Sequence, residues 1–222
     1  MTLHYPTPLE VVTQQPVHAS VIWLHGLGAN GYDFLPIVEQ LGSLPPTRFI
    51  FPHAPDQAVT LNGGHVMPSW YDLTGLHQAA PEDEAGLRAS MQYVDTLIAQ
   101  EIARGIAPQR IVLAGFSQGG NVALNCALRY PQRLAGALIL SSYLGLPARL
   151  ADEAHAANRS LPILMLHGTQ DDVVPLDFAQ ASRQTLSGLG YQIAWQTYPM
   201  AHSVCDEEVA SISHWLNAVL AN

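Results

Sequence analysis

Short apolar runs alternate along this chain with longer amphipathic stretches, and the two kinds differ in period. Ser20–His25 (SVIWLH), Arg48–Phe51, Arg110–Ala114 (RIVLA), Gly136–Leu140 (GALIL), Ile163–His167 (ILMLH) and Ile193–Tyr198 read as strands. Most lack the polar alternation of a half-exposed strand, which predicts burial on both faces of a parallel sheet. Glu84–Arg104, Gln118–Arg129, Leu176–Leu186 and Glu207–Leu220 instead carry apolar residues three and four apart, the period of a helix with one buried face. Pro131 and Gly188 stand as helix stops. The alternation predicts right-handed βαβ units and an α/β fold: a doubly wound, mostly parallel sheet with helices on both faces.

Composition narrows this picture. Nearly half of the 222 residues are hydrophobic (48%) and 12% are charged, which fits a packed core and excludes a disordered chain. No internal repeat or Gly/Ser-rich linker divides the sequence, so residues 1–222 are expected to form one domain. The net charge is −9, and every one of the nine basic residues is arginine. Such a surface repels phosphate backbones and anionic lipids, so no nucleic-acid partner is expected. The apolar runs are too short to span a bilayer, so no integral membrane association is expected either. The amino terminus, MTLHYPTPLE, has neither a basic n-region nor an apolar h-region, and a cytoplasmic location is the expectation. Cys126 and Cys205 suggest neither a disulfide framework nor a metal pair; Cys126 reads as a small buried hydrophobe.

In sheets of this kind, ligands bind beyond the carboxyl ends of the strands. Four such ends carry chemistry: His25-Gly26-Leu27-Gly28, Gly115-Phe116-Ser117, His167-Gly168-Thr169-Gln170-Asp171, and Tyr198-Pro199-Met200-Ala201-His202. Gly115-Phe116-Ser117-Gln118-Gly119-Gly120 matches G-x-S-x-G directly between a predicted strand and a predicted helix, the context a nucleophile elbow requires. Glycines there let strand and helix pass closely around a strained serine. Ser117 is the candidate nucleophile. A serine hydroxyl needs a base, and chain order places the acid and then the histidine after the serine. Of the later histidines, His155 and His214 read as structural or solvated, and His167 as part of a tight turn. His202, in a short loop between the last strand and the last helix, is the candidate base. The acid belongs between Ser117 and His202, where Asp171 and Asp172 fit equally well; Asp177 reads as a first-turn helix acid.

The anionic intermediate of acyl transfer needs two preorganised N–H donors. The residue after the nucleophile, Gln118, supplies one, and Leu27, flanked by glycines after an early strand, is the natural second. Gly26-x-Gly28-x-x-Gly31 also matches a dinucleotide loop, but the acid expected about twenty residues onward is missing around Phe49–His53.

Taken together, these residues resemble one family: the small carboxylesterase, acyl-protein thioesterase and lysophospholipase group of α/β-hydrolases. The resemblance spans nearly the whole chain. It includes His25-Gly26-Leu27-Gly28, Pro52-His53-Ala54-Pro55, Ser69-Trp70-Tyr71-Asp72, the Ser117 elbow, His167-Gly168-x-x-Asp171 and Tyr198-x-x-x-His202. Ala201 stands where relatives commonly have glycine. The resemblance implies an α/β-hydrolase fold without a large lid domain, consistent with no long insertion between Gly136–Leu140 and Ile163–His167. It implies Asp171 rather than Asp172 as the acid, and Trp70, Leu73 and Leu76 as substrate-pocket walls on a small flap. It further implies a serine carboxylesterase acting through an acyl-enzyme, with acyl-protein thioesterase or lysophospholipase as the alternative. The partner is then a small-molecule ester or thioester, or an acylated protein. No metal or organic cofactor is required, and relatives are monomers or homodimers. A non-catalytic ligand-binding protein of this fold would usually have lost a triad member, and all three are present.

Overall fold

Strands buried on both faces must find helices on both sides, and that requirement organises the fold. The computed structural model describes residues 4–75 and 80–221. In chain order, the strands are β1 (Leu9–Val12), β2 (Ala19–Leu24), β3 (Thr47–Phe51), β4 (Asp56–Val59), β5 (His65–Pro68), β6 (Ile111–Phe116), β7 (Gly136–Leu140), β8 (Ile163–Gly168) and β9 (Ile193–Tyr198). The helices are α1 (Ile37–Gln40), α2 (Glu84–Ala103), α3 (Gln118–Arg129), α4 (Pro147–Glu153), α5 (Leu176–Gly188) and α6 (Asp206–Leu220). Seven strands form the main sheet in the order β1-β3-β2-β6-β7-β8-β9. Only β1 is antiparallel to its neighbour; every other pairing in that sheet is parallel. This is the doubly wound α/β-hydrolase sheet.

Alternate side chains of one strand serve opposite cores. Ile22 and Leu24 of β2 join Ile111 and Leu113 of β6 under α2 and α3. Val21 and Trp23 join Val112 and Ala114 on the other face, where α1 and α6 pack. Each helix buries one stripe: Leu87, Met91, Val94 and Ile98 on α2, and Val209, Ile212, Leu216 and Leu220 on α6. Spacings of three and four residues put each set on one face. α3 is buried almost all round, from Gln118 to Leu128, because it lies at the centre of the fold against β6 and β7.

Some elements escape the periodicity. β1 is a half-buried edge strand of four residues, and β4 and β5 form a separate short hairpin turned by Gly63 and Gly64. α1 and α4 are only four and seven residues long. α5 ends at Gly188, where the stop is expected, and the chain then turns at Gly190, whose φ of +88° only glycine adopts freely. Pro131 acts as expected, since Tyr130 before it is already extended. Among the described residues, no helix is long and apolar enough to cross a membrane.

Candidate active site

The elbow is set by close packing of backbone around one strained residue. Ser117 adopts φ +52°, ψ −122°, outside the regions open to ordinary side chains. A conformation of that kind costs about 1–3 kcal/mol and persists only where its surroundings over-determine it. Here they do. The Ser117 N–H donates to the Leu140 carbonyl of β7 at 2.9 Å, and its own carbonyl accepts from the Ser142 hydroxyl at 2.6 Å and the Gly120 N–H at 3.0 Å. The glycines supply the space. A Cβ on Gly115 would lie 2.3 Å from the Gly119 carbonyl oxygen, and one on Gly119 would lie 2.4 Å from that of His25. β2, β6 and α3 can therefore meet only if both are glycine.

The neighbouring loop is held by a histidine that does no chemistry of its own. His25 is buried; its Nδ1–H donates to the Gly26 carbonyl at 2.7 Å, and its Nε2 accepts from the Ala54 N–H at 3.0 Å. Burial pulls its pKa down to about 4, so the ring is neutral at pH 7 and keeps both bonds. This fixes the turn that presents Leu27. The Gln118 side chain clamps the opposite rim, accepting from the Trp70 N–H at 2.9 Å and donating to the Tyr71 carbonyl at 2.7 Å. Among the described residues, neither the Leu27 nor the Gln118 backbone N–H has a hydrogen-bond partner. Both residues line the same cavity as Ser117.

The His202 ring is held from behind. Its Nδ1–H donates to Asp171 Oδ2 at 2.7 Å, which leaves Nε2 without a proton on the cavity side. Asp171 Oδ1 accepts the N–H groups of Val173 and Val174 at 3.0 and 2.8 Å, so its loop wraps around its own carboxylate. Asp172 is exposed and makes no such contact, and this separates the two aspartates that the loop pattern left even. His167 sits behind the pair. Its Nε2–H donates to the Val174 carbonyl at 2.8 Å, 3.5 Å from Asp171 Oδ2, and burial lowers its pKa. The Phe116 ring lies 4.6 Å from that of His202, centroid to centroid. His202 and Ser117 face one cavity, although among the described residues no hydrogen bond joins them. In unliganded sites such contacts commonly lengthen and close only with substrate present.

That cavity encloses about 420 Å³, lined by Leu27, Leu61, Leu73, Phe116, Val173 and Val174 beside the polar centre. Leu73 is thus a wall, as the resemblance implies. Trp70 is not. It is fully buried, its indole N–H donates to the His25 carbonyl at 2.8 Å, and its ring packs among His25, Tyr5 and Tyr93. An indole with both an apolar body and a satisfied N–H is more stable inside than facing a cavity, and it supports the site from beneath. Leu76 lies outside the described residues. Tyr143 also lines the cavity and was missed by the sequence reading. It follows the carboxyl end of β7, a fifth strand end that the same strand-end rule covers. Among the described residues, no group of three or more His, Cys, Asp or Glu is placed to hold a metal ion.

Comparison with known proteins gives the chain a family. A family model described as phospholipase/carboxylesterase matches residues 9–220. Acyl-protein thioesterase 1 of Gibberella zeae is 40% identical over 213 residues, covering 91% of both chains. That of Neurospora crassa is 41% identical over 209 residues, covering 89% of this chain and 85% of its own. Among solved structures, Arabidopsis thaliana SOBER1 superposes with a TM-score of 0.88 at 32% identity, over 92% of this chain and all of the other. Zea mays acyl-protein thioesterase 2 gives a TM-score of 0.84 at 31% identity, over 96% and 99%. The chain belongs to the phospholipase/carboxylesterase family of α/β-hydrolases and is a serine hydrolase of the carboxylesterase and thioesterase type.

Proposed function

We propose that this enzyme removes fatty acyl groups from protein thioesters, with Ser117 as nucleophile, His202 as base and Asp171 as its orienting acid. The observation that carries the chemistry is the convergence of Ser117, His202, Leu27 and Gln118 on one cavity, with Asp171 hydrogen-bonded behind His202. Ser117 Oγ attacks the acyl carbonyl carbon as its proton passes to His202 Nε2. The carbonyl oxygen becomes an anion and accepts the N–H groups of Leu27 and Gln118, each worth about 10²- to 10³-fold in rate. The bond to sulfur breaks, and His202 returns the proton to the leaving thiolate. Water then attacks the acyl-serine with the same base, releasing a carboxylic acid and restoring Ser117.

The thioester reading rests on the two relatives named acyl-protein thioesterase 1, which match over nearly their whole length. A carboxylesterase acting on short to medium chains is the second reading, favoured by the family description itself and by the same catalytic groups. An S-acyl cysteine peptide and the oxygen ester of the matching serine peptide separate them. The proposal expects a higher kcat/KM for the thioester across acyl lengths. Preference for the oxygen ester, greatest with short acyl groups, would replace it with the second reading.

A further inference from the structure

A second cavity of about 240 Å³ lies beside the catalytic one, lined by Leu73, Leu87, Leu144 and Phe178 among others. Among the described residues, Leu73 and Tyr143 alone line both. These two stand between the spaces, and the tyrosine is tied down. Its hydroxyl lies 3.1 Å from that of Tyr71, which in turn accepts from Asn121 Nδ2 at 2.8 Å.

The direction of the Asn121 bond can be read. Asn121 Oδ1 already accepts the Gly145 N–H at 2.7 Å and Asn125 Nδ2 at 2.6 Å, so its amide nitrogen must face Tyr71. Tyr71 accepts from Asn121, and either hydroxyl of the Tyr71–Tyr143 pair can donate to the other. Tyr71 is buried, so swinging Tyr143 aside would take one partner from a buried hydroxyl. Asn121 also belongs to the first turn of α3, where its N–H donates to the Ser117 carbonyl at 3.3 Å. The partition is thus built on the helix that carries the nucleophile. The edge of the Phe178 ring packs on Tyr143 from the far side, centroids 6.1 Å apart.

We infer that Tyr143, held by the Tyr71–Asn121 relay, is the residue that sets acyl-chain length, closing the catalytic cavity off from an apolar extension. The inference rests on the acyl-transfer reading given above. The acyl group is the part of the substrate suited to that space. Once bonded to Ser117 it can be enclosed, whereas the leaving thiol or alcohol of a protein must reach solvent. Leu73, Leu87, Leu144 and Phe178 offer a hydrocarbon chain apolar surface, and the carboxylates on the same lining, Asp72, Glu82 and Asp83, disfavour an anionic occupant.

The test is a series of acyl thioesters and nitrophenyl esters of increasing chain length, run on wild type, Tyr143→Ala and Tyr71→Phe. Each methylene that enters apolar space should raise kcat/KM by about fourfold. In wild type the rise stops when the first cavity is full. In Tyr143→Ala it should continue, raising the ratio of long-chain to short-chain activity at least about tenfold, the contribution of two further methylenes. Tyr71→Phe keeps the core ring and removes only the tether, so it should move the ratio in the same direction by a smaller factor. It decides the matter if Tyr143→Ala does not fold. Ratios unchanged from wild type in variants whose Ser117 still reacts with a fluorophosphonate would overturn the inference and leave the acyl-transfer reading standing. A wild-type enzyme unreactive toward that probe would remove both.

Discussion

The elbow around Ser117 and the wall around Tyr143 meet at the first turn of α3, through Asn121, yet they are held by different physics. The elbow is a steric lock: Gly115 and Gly119 admit no Cβ, and Ser117 is pinned by backbone bonds to β7 and α3. The wall is a polar tether, a relay of one amide and two hydroxyls beside a cavity with leucines, a phenylalanine and three carboxylates on its lining. A steric lock leaves few sequences possible, and so it shows in the sequence as a motif. A tether can be built from many residue pairs, and it shows only once the chain is folded. Backbone contacts hold the elbow; exchangeable side chains hold the wall.

Substitutions should separate the two. The largest effect is expected on the acid that holds the base. Asp171→Asn should cut kcat by roughly 10⁴-fold, because an amide cannot stabilise the imidazolium and favours the wrong tautomer. Asp172→Asn should leave it within experimental error, since that side chain is exposed; the measurement is steady-state hydrolysis of one ester by both variants. Next comes the elbow itself. Gly119→Ala places a methyl 2.4 Å from a backbone oxygen that cannot move alone, so denaturant titration should show a loss at or above the usual overpacking range of about 1–3 kcal/mol. Tyr71→Phe, in the wall, removes a single hydroxyl and should cost less in the same titration.

The smallest effect concerns a buried carboxyl in the last helix. Glu208, in the first turn of α6, is fully buried. Burial pushes its pKa up to about 8, against a smaller opposing pull from the Cys205 backbone. The sign follows from linkage. Below the ordinary value of 4.5, both folded and unfolded chains hold the proton and nothing is lost. Between 4.5 and about 8 the unfolded chain releases it while the folded chain retains it, so stability falls as pH rises and levels off above about 8. His25, whose pKa is lowered to about 4, acts in the opposite sense below the ordinary histidine value of 6.5, so the melting temperature of wild type should decline between about pH 6.5 and 8. Glu208→Gln should flatten the decline, and an unaltered slope in that variant would assign it to other groups.

Much of the fold was legible because the central strands are buried on both faces and read as unbroken apolar runs. β7, α3 and β9 fall where the periodicity puts them, to the residue. The edge strand β1, the β4–β5 hairpin and the short α1 and α4 were not legible, because four to seven residues with one wet face carry too little period. Within the site, the elbow, the base and the Leu27 turn have sequence signatures. Asp171 and Asp172 are adjacent in a loop, where spacing carries no orientation. Only the folded turn shows which carboxylate accepts from Val173 and Val174 and meets His202. Trp70 could be wall or core on sequence alone; the bond to the His25 carbonyl decides for core. Tyr143 lies past the end of β7, where the strand-end rule reaches it but the two serines before it carry no motif.

The central claim is that Ser117 is the nucleophile, and one measurement addresses it without a known substrate. The wild-type enzyme is treated with a fluorophosphonate and digested, and the adduct is located by mass spectrometry beside Ser117→Ala. The account predicts one phosphonylated peptide, modified at Ser117, and no adduct on the variant. An adduct elsewhere, or equal labelling of Ser117→Ala, would contradict it.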